Sequence, residues 1–183
     1  MDLILASGSP RRKELLSLYT TDFTICVSDF DESTVTADTP AQLVEKLARG
    51  KCLAVAKDHP GAVVLGCDTV VDVGGEVFGK PHSVEDAKRM LRALSGATHE
   101  VHTGVCVSDG LRTESFVDSC KVTFFPIPKE EIDAYTATKE PYDKAGAYAI
   151  QGRAALWLDR LEGDYYTIMG LPVSRTARLL GRF

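Results

Sequence analysis

Three consecutive basic residues, Arg11-Arg12-Lys13, stand directly behind Ser9-Pro10, where the sequence opens a helix. Ser9 is an N-cap residue type and Pro10 suits the first helical position. Cations in that first turn oppose the helix dipole at a cost of about 0.3–1 kcal/mol each. Together they point to an anion as the expected partner. Backbone N–H groups at a helix start favour phosphate, and guanidinium forks add charge with bidentate geometry. A basic surface turn with solvated arginines is the other reading of this segment.

Asp68 is the second signal, because it interrupts the apolar run Val63-Val64-Leu65-Gly66-Cys67-Asp68-Thr69-Val70-Val71. A carboxylate there is expensive unless hydrogen-bonded, ion-paired or metal-bound. Gly66 permits close approach of another backbone or of a ligand. Glu32 belongs to the acidic turn Asp29-Phe30-Asp31-Glu32-Ser33. By itself it reads as a solvated loop charge; beside a phosphate site, Glu32 and Asp68 are hard-oxygen partners for Mg²⁺ or Mn²⁺. Lys51 continues the apolar row of Leu43 and Leu47, so its head is directed toward the core side or snorkels away from it. Lys80 is held extended by Pro81, either as a ligand-facing cation or as an exposed hairpin lysine.

Other candidate motifs lack the context they need. Gly74 to Lys80 spells G-x-x-x-x-G-K, but Pro81 stands where Ser or Thr should hold a metal. His99 and His102 are three apart on a predicted strand and point to opposite faces, which makes a poor metal pair. Ser7 and Ser9 have no G-x-S-x-G setting and no histidine placed to activate them.

The elements that must carry these residues follow from periodicity and caps. A strand at the N-terminus leads through the Gly8 turn into the helix begun by Ser9. A strand over 23–28 precedes the acidic turn, and a helix opens at Thr39-Pro40 with capping-box spacing to Gln42. Gly50 weakens that helix. Residues 62–73 read as a central strand and 72–77 as a hairpin; 83–94 is an amphipathic helix capped by Ser83 and stopped by Gly96. Strands over 99–107 and 113–125 turn at Asp109-Gly110, and 128–136 is a short helix. Residues 147–150 and 154–161 are predicted strands, and 172–180 a closing helix. The expected class is α/β: a mixed, twisted central sheet flanked by helices, with ligand at one rim.

The length of 183 residues suits one domain or a tightly joined pair of lobes. Hydrophobic content of 44% and charged content of 26% are those of an ordinary globular protein. No membrane-length apolar run or signal pattern is present, so the expectation is a cytoplasmic protein without a membrane partner. A net charge of −5 argues against nucleic acid as partner and requires the positive charge to be concentrated in a cleft. The cysteines, 26, 52, 67, 106 and 120, are scattered and odd in number, which favours reduced thiols.

These segments together resemble the Maf family of nucleoside triphosphate pyrophosphatases. The resemblance rests on blocks in unbroken order: 5–12, Asp31-Glu32-Ser33, 47–51, 66–71, Gly79-Lys80-Pro81, 140–148, Ile150-Gln151-Gly152 and Gly170-Leu171-Pro172. It implies a single family domain over 1–183, with two lobes, a cleft, and a fold similar to the inosine triphosphate pyrophosphatases. It also selects a branch. The dTTP/UTP branch has Arg, Thr and Gln where this chain has Arg11, Thr69 and Gln151, whereas the 7-methyl-GTP branch has Trp, Gln and Glu. Neutral thymine and uracil suit amide hydrogen bonds, while a cationic methylguanine suits an aromatic face and a carboxylate.

The implied reaction is water attack at the α-phosphorus of dTTP, UTP or a modified pyrimidine nucleotide, giving monophosphate and pyrophosphate. Arg11, Arg12, Lys51 and Lys80 would neutralise the triphosphate, with Arg12 mainly electrostatic and Arg11 also reporting the base, and Ser7 or Ser9 would donate to a phosphate oxygen. Mg²⁺ or Mn²⁺ would bridge to Glu32 and Asp68. Asp68 is the candidate base, and the sequence does not divide its role between base and metal ligand. A homodimer is implied by resemblance alone. The alternative attached to the family is a non-catalytic, nucleotide-sensing regulator of cell division.

Overall fold

The computed structural model describes residues 2–183. Seven strands form one mixed sheet: β1 (Leu3–Leu5), β2 (Thr24–Ile25), β3 (Val63–Val73), β4 (Glu76–Phe78), β5 (Thr98–Ser108), β6 (Thr113–Phe124) and β7 (Leu158–Glu162). They hydrogen-bond in the order β2-β1-β3-β5-β6-β7, and β4 pairs with β3. The helices are α1 (Pro10–Leu16), α2 (Pro40–Asp58), α3 (Val84–Leu94), α4 (Lys129–Thr136), α5 (Tyr165–Met169) and α6 (Val173–Leu180). None among the described residues is long and apolar enough to cross a membrane.

The chain divides into two compact units. The first comprises Met1–Thr69, Thr103–Asp118 and Gly170–Phe183. In it β1 pairs in parallel with both β2 and β3, with Leu5 opposite Ile25 and Leu65. Helix α2 buries Val44, Leu47, Ala48, Cys52, Val55 and Ala56, the stripe a 3.6-residue period requires. Its backbone lies almost on the strands. A Cβ on Gly66 would come within 2.5 Å of the Ala48 carbonyl, and one on Gly104 would strike the Val44 carbonyl. Gly66 therefore serves the approach of a helix backbone. Gly50 likewise has a packing reason, because a Cβ there would collide with the Phe30 ring.

The second unit comprises Val70–His102 and Ser119–Met169. The β3–β4 hairpin and the antiparallel β6–β7 pair frame a core into which α3 and α4 bury Leu91, Leu94, Ile132 and Tyr135. His99 is enclosed there. Its Nε2 meets the Tyr148 hydroxyl at 2.8 Å, its Nδ1 has no partner, and the rings of Phe124 and Tyr148 stand edge-on to it. Burial pushes the imidazole down to about 4, so the folded state holds it neutral while the unfolded chain protonates it near 6.5. Stability is thus complete above pH 6.5 and is lost as pH falls toward 4, by about 3 kcal/mol in total. Chemical denaturation between pH 7 and 4 should show this slope, and His99→Gln should flatten it; an unchanged slope would assign the acid sensitivity elsewhere.

Three sequence expectations need correction. Residues 147–150 are not a strand: Gly146 (φ +71°) and Ala147 (φ +61°) take left-handed backbone, and the chain enters a turn instead of the sheet. Of 154–161, the first half is a 3-10 turn, Arg153–Trp157, and only β7 is extended. The strand expected over 23–28 is confined to the two residues of β2. Helix α5 was not anticipated. All five cysteines are free thiols, and all but Cys26 are buried.

Candidate active site

Ser9 caps α1 with its side chain toward the Arg12 N–H, and Pro10 occupies the first turn. Arg12 then reaches back across the turn and makes a separate bond with each of its three guanidinium nitrogens. Nε donates to the Gly170 carbonyl at 2.9 Å, Nη1 to Ser7 Oγ at 3.2 Å and Nη2 to Thr69 Oγ1 at 3.0 Å. Thr69 Oγ1 in turn lies 2.9 Å from Thr103 Oγ1. Gly170 must be glycine twice over. Its φ is +104°, and a Cβ would stand 3.3 Å from both Arg12 Nε and Thr69 Oγ1.

Period-two alternation sends Asp68 and Thr69 to opposite faces of β3. Asp68 shares the Gly66 face, which lies against α2, and there it meets Lys51. The Lys51 ammonium is 2.5 Å from Asp68 Oδ1 and 3.0 Å from Glu32 Oε1. The lysine and aspartate side chains are 15% and 12% exposed and that of Glu32 is 54% exposed, so the cluster opens to solvent on the Glu32 side. Local structure explains how Glu32 arrives. Asp31 caps the 3-10 turn Glu32–Thr34 by accepting from Ser33 N–H at 3.0 Å and Ser33 Oγ at 2.6 Å. Those two bonds hold the Asp31 carboxyl below its ordinary range. Phe30, seated on Gly50 of α2, then presses the acidic turn against the helix that bears Lys51. The two glycines, 50 and 66, are thus what allow Glu32, Lys51 and Asp68 to converge.

The first unit therefore brings Glu32, Lys51 and Asp68 into one charged cluster, and Ser7, Arg12 and Thr69 into a neighbouring hydrogen-bonded one. Ser9 and Arg11 sit on the same β1–α1 turn. Lys80 and Gln151 belong to the second unit, both exposed: Lys80 just after β4, Gln151 in the turn closed by Gly152 N–H to the Ala149 carbonyl at 3.0 Å. Cys67, between Gly66 and Asp68, is no nucleophile, since burial pushes its thiol up to about 12.

Among the described residues no group of three or more His, Cys, Asp or Glu side chains could hold a metal by itself. The donor set suits a different kind of site. Two carboxylates converge on one cationic point, and Mg²⁺ is commonly held by one or two carboxylates completed by substrate phosphate and water. Glu32 and Asp68 fit that description and do not fit an all-protein cage.

A family model described as Maf-like protein matches residues 2–183. The chain belongs to the Maf family. Among its relatives are the dTTP/UTP pyrophosphatases of Bacillus cytotoxicus and Bacillus mycoides, each 48% identical, the first over 98% of this chain and 94% of the relative, the second over 99% and 95%. The Bacillus anthracis dTTP/UTP pyrophosphatase is 47% identical over 99% of this chain. Among solved structures, the Staphylococcus aureus Ham1 protein superposes with a TM-score of 0.58 at 15% identity, covering 100% of this chain and 99% of that one. A HAM1 protein from Coxiella burnetii gives 0.55 at 12% identity, with both chains covered in full. These two share the fold with this Maf-family chain.

Sequence reasoning had no role for Thr103 or Gly170. Gly170 stood in a family block without a stated purpose, and a glycine directly before Leu171-Pro172 was the available signal. Thr103 offered none, because a buried threonine on an alternating strand looks like any other core position.

Proposed function

We propose that this Maf-family chain is a cytoplasmic nucleoside triphosphate pyrophosphatase acting on dTTP and UTP, and on modified pyrimidine nucleotides of the same shape. The observation that carries the reading is the Asp68–Lys51–Glu32 cluster beside the basic β1–α1 turn. It sets a carboxylate base, a phosphate-directed cation and hard-oxygen donors next to one another. The high identity to dTTP/UTP pyrophosphatases over nearly the full chain supports the choice of substrate.

Asp68 commits Oδ1 to Lys51, which leaves its second oxygen to take a proton from water. The water oxygen bonds to the α-phosphorus, and the bond from that phosphorus to the α–β bridging oxygen breaks. Pyrophosphate leaves with the electron pair. A divalent cation held by Glu32 and Asp68 would offset charge on the phosphate oxygens. Ser7 Oγ already accepts from Arg12 and from the Ser9 N–H, so its own O–H is kept for a phosphate oxygen. Ser9, Arg11, Lys51 and Lys80 bind the triphosphate, while Arg12 contributes a fixed positive charge. Arg11, Thr69 and Gln151 select the base.

Pyrophosphate release should be measured over a nucleotide panel with Mg²⁺ or Mn²⁺. The expected order is dTTP and UTP well ahead of 7-methyl-GTP, with loss of turnover on chelation. The reverse order would overturn the branch, and no release from any nucleotide would overturn the reaction.

A further inference from the structure

Gln151 sits at the third position of the Ala149–Gly152 turn, exposed, on a segment with no strand or helix to hold it. Its flanks are held instead by two side chains from another part of the second unit. On one side, the Ala149 N–H donates to the hydroxyl of Tyr135, at 3.0 Å. On the other, the Arg153 N–H donates to Glu140 Oε2, at 3.3 Å. Burial, and after it the neighbouring Glu140 carboxylate, raises the ionisation of the Tyr135 hydroxyl above the ordinary range. The carboxylate lies flush on Gly152, leaving no room for a Cβ there. Glu140 is itself fixed, since its carbonyl accepts from Lys144 Nζ at 2.8 Å.

We propose that Glu140 and Tyr135 form a two-point clamp that positions Gln151 toward the substrate base, so that these two residues, which do not touch the substrate, help set base selectivity. The proposal rests on the reading of Gln151 as a base-selecting residue. The chemistry requires such a device. An amide recognises a pyrimidine only when its donor and acceptor are correctly directed, and an unsupported surface turn leaves both free to rotate. A charge-assisted bond to the Arg153 N–H and a neutral one to the Ala149 N–H restrain the turn on both sides of Gln151. Glu140 is the better half of the clamp, because its bond to the Arg153 N–H has an ionised acceptor. A glutamine offers one neutral acceptor oxygen in place of two charged ones.

The test is a double-mutant cycle on the full chain, with steady-state hydrolysis of dTTP and dCTP. Gln151→Ala, Glu140→Gln, Tyr135→Phe and Glu140→Gln/Gln151→Ala are compared. Glu140→Gln should raise KM for dTTP about tenfold while kcat stays close to wild type, the signature of lost binding common to ground and transition states. The ratio of kcat/KM between the two nucleotides should move in the same direction as in Gln151→Ala, and this ratio is independent of how much protein is folded. In the Gln151→Ala background the Glu140 change should have no further effect, because the clamp has nothing left to position. Tyr135→Phe should follow the same pattern. A Glu140 effect of equal size with and without Gln151, or an unmoved ratio while Gln151→Ala shifts it, overturns the clamp alone. An unmoved ratio in Gln151→Ala itself overturns the reading of Gln151 and the clamp with it. Should Glu140→Gln not fold, Gly152→Ala displaces the carboxylate from the opposite side and is judged by the same ratio.

Discussion

Asp68→Asn should yield a folded protein that releases pyrophosphate from dTTP about a thousandfold more slowly, within the usual range for removal of a general base. The replacement is nearly isosteric on β3 and leaves Oδ1 as an acceptor for Lys51. Lys51 also keeps its second partner, Glu32, at 3.0 Å, so the substitution does not strand a buried ammonium. The usual large penalty for removing one half of a buried ion pair therefore does not apply. The expected stability cost is about 1 kcal/mol, or roughly 2–4 °C in Tm for a chain of this size. Thermal unfolding together with turnover separates the two effects. Near wild-type turnover by a well-folded variant would remove Asp68 from the reaction.

The same residue shows why much of the site was legible before the fold was known. An ionised group inside an apolar strand needs a stated reason, and the sequence advertises it. Caps are equally local: Ser9, Thr39 and Ser83 each sit three residues before the N–H they accept from, and all three helices begin as the spacing requires. The failures are of another kind. Ala147–Ile150 is apolar and buried, but burial alone does not separate a strand from a turn packed in the core, and the decisive left-handed backbone at Ala147 has no residue signature. Gly50 looked like a flaw in a helix because its partner, Phe30, is twenty residues away and only the fold brings it there. Thr103 and Gly170 were missed for the same reason, since their function is to meet Arg12 and Thr69.

Arg12 carries the second large effect, and it refines what its charge alone suggests. Arg12→Lys keeps the positive charge at the head of α1 but replaces a planar fork with a single point. The native guanidinium spans a carbonyl at Gly170 and two hydroxyls, at Ser7 and Thr69, and an ammonium in one position cannot reach all three. Thr69 retains Thr103, and Ser7 retains the Ser9 N–H, so the main orphan is the Gly170 carbonyl. A loss of about 2 kcal/mol follows, or roughly 4–8 °C in Tm. Activity should fall further than that loss requires. The fork fixes the phosphate-facing turn to β3 and to the segment before α6, and small misplacement of a positioned charge costs about a hundredfold in rate. Hydrolysis of dTTP at a temperature where both proteins are fully folded isolates this effect. Were charge the whole contribution of Arg12, lysine would restore kcat/KM, and wild-type values for both Tm and kcat/KM in Arg12→Lys would show that the three bonds hold nothing that catalysis needs.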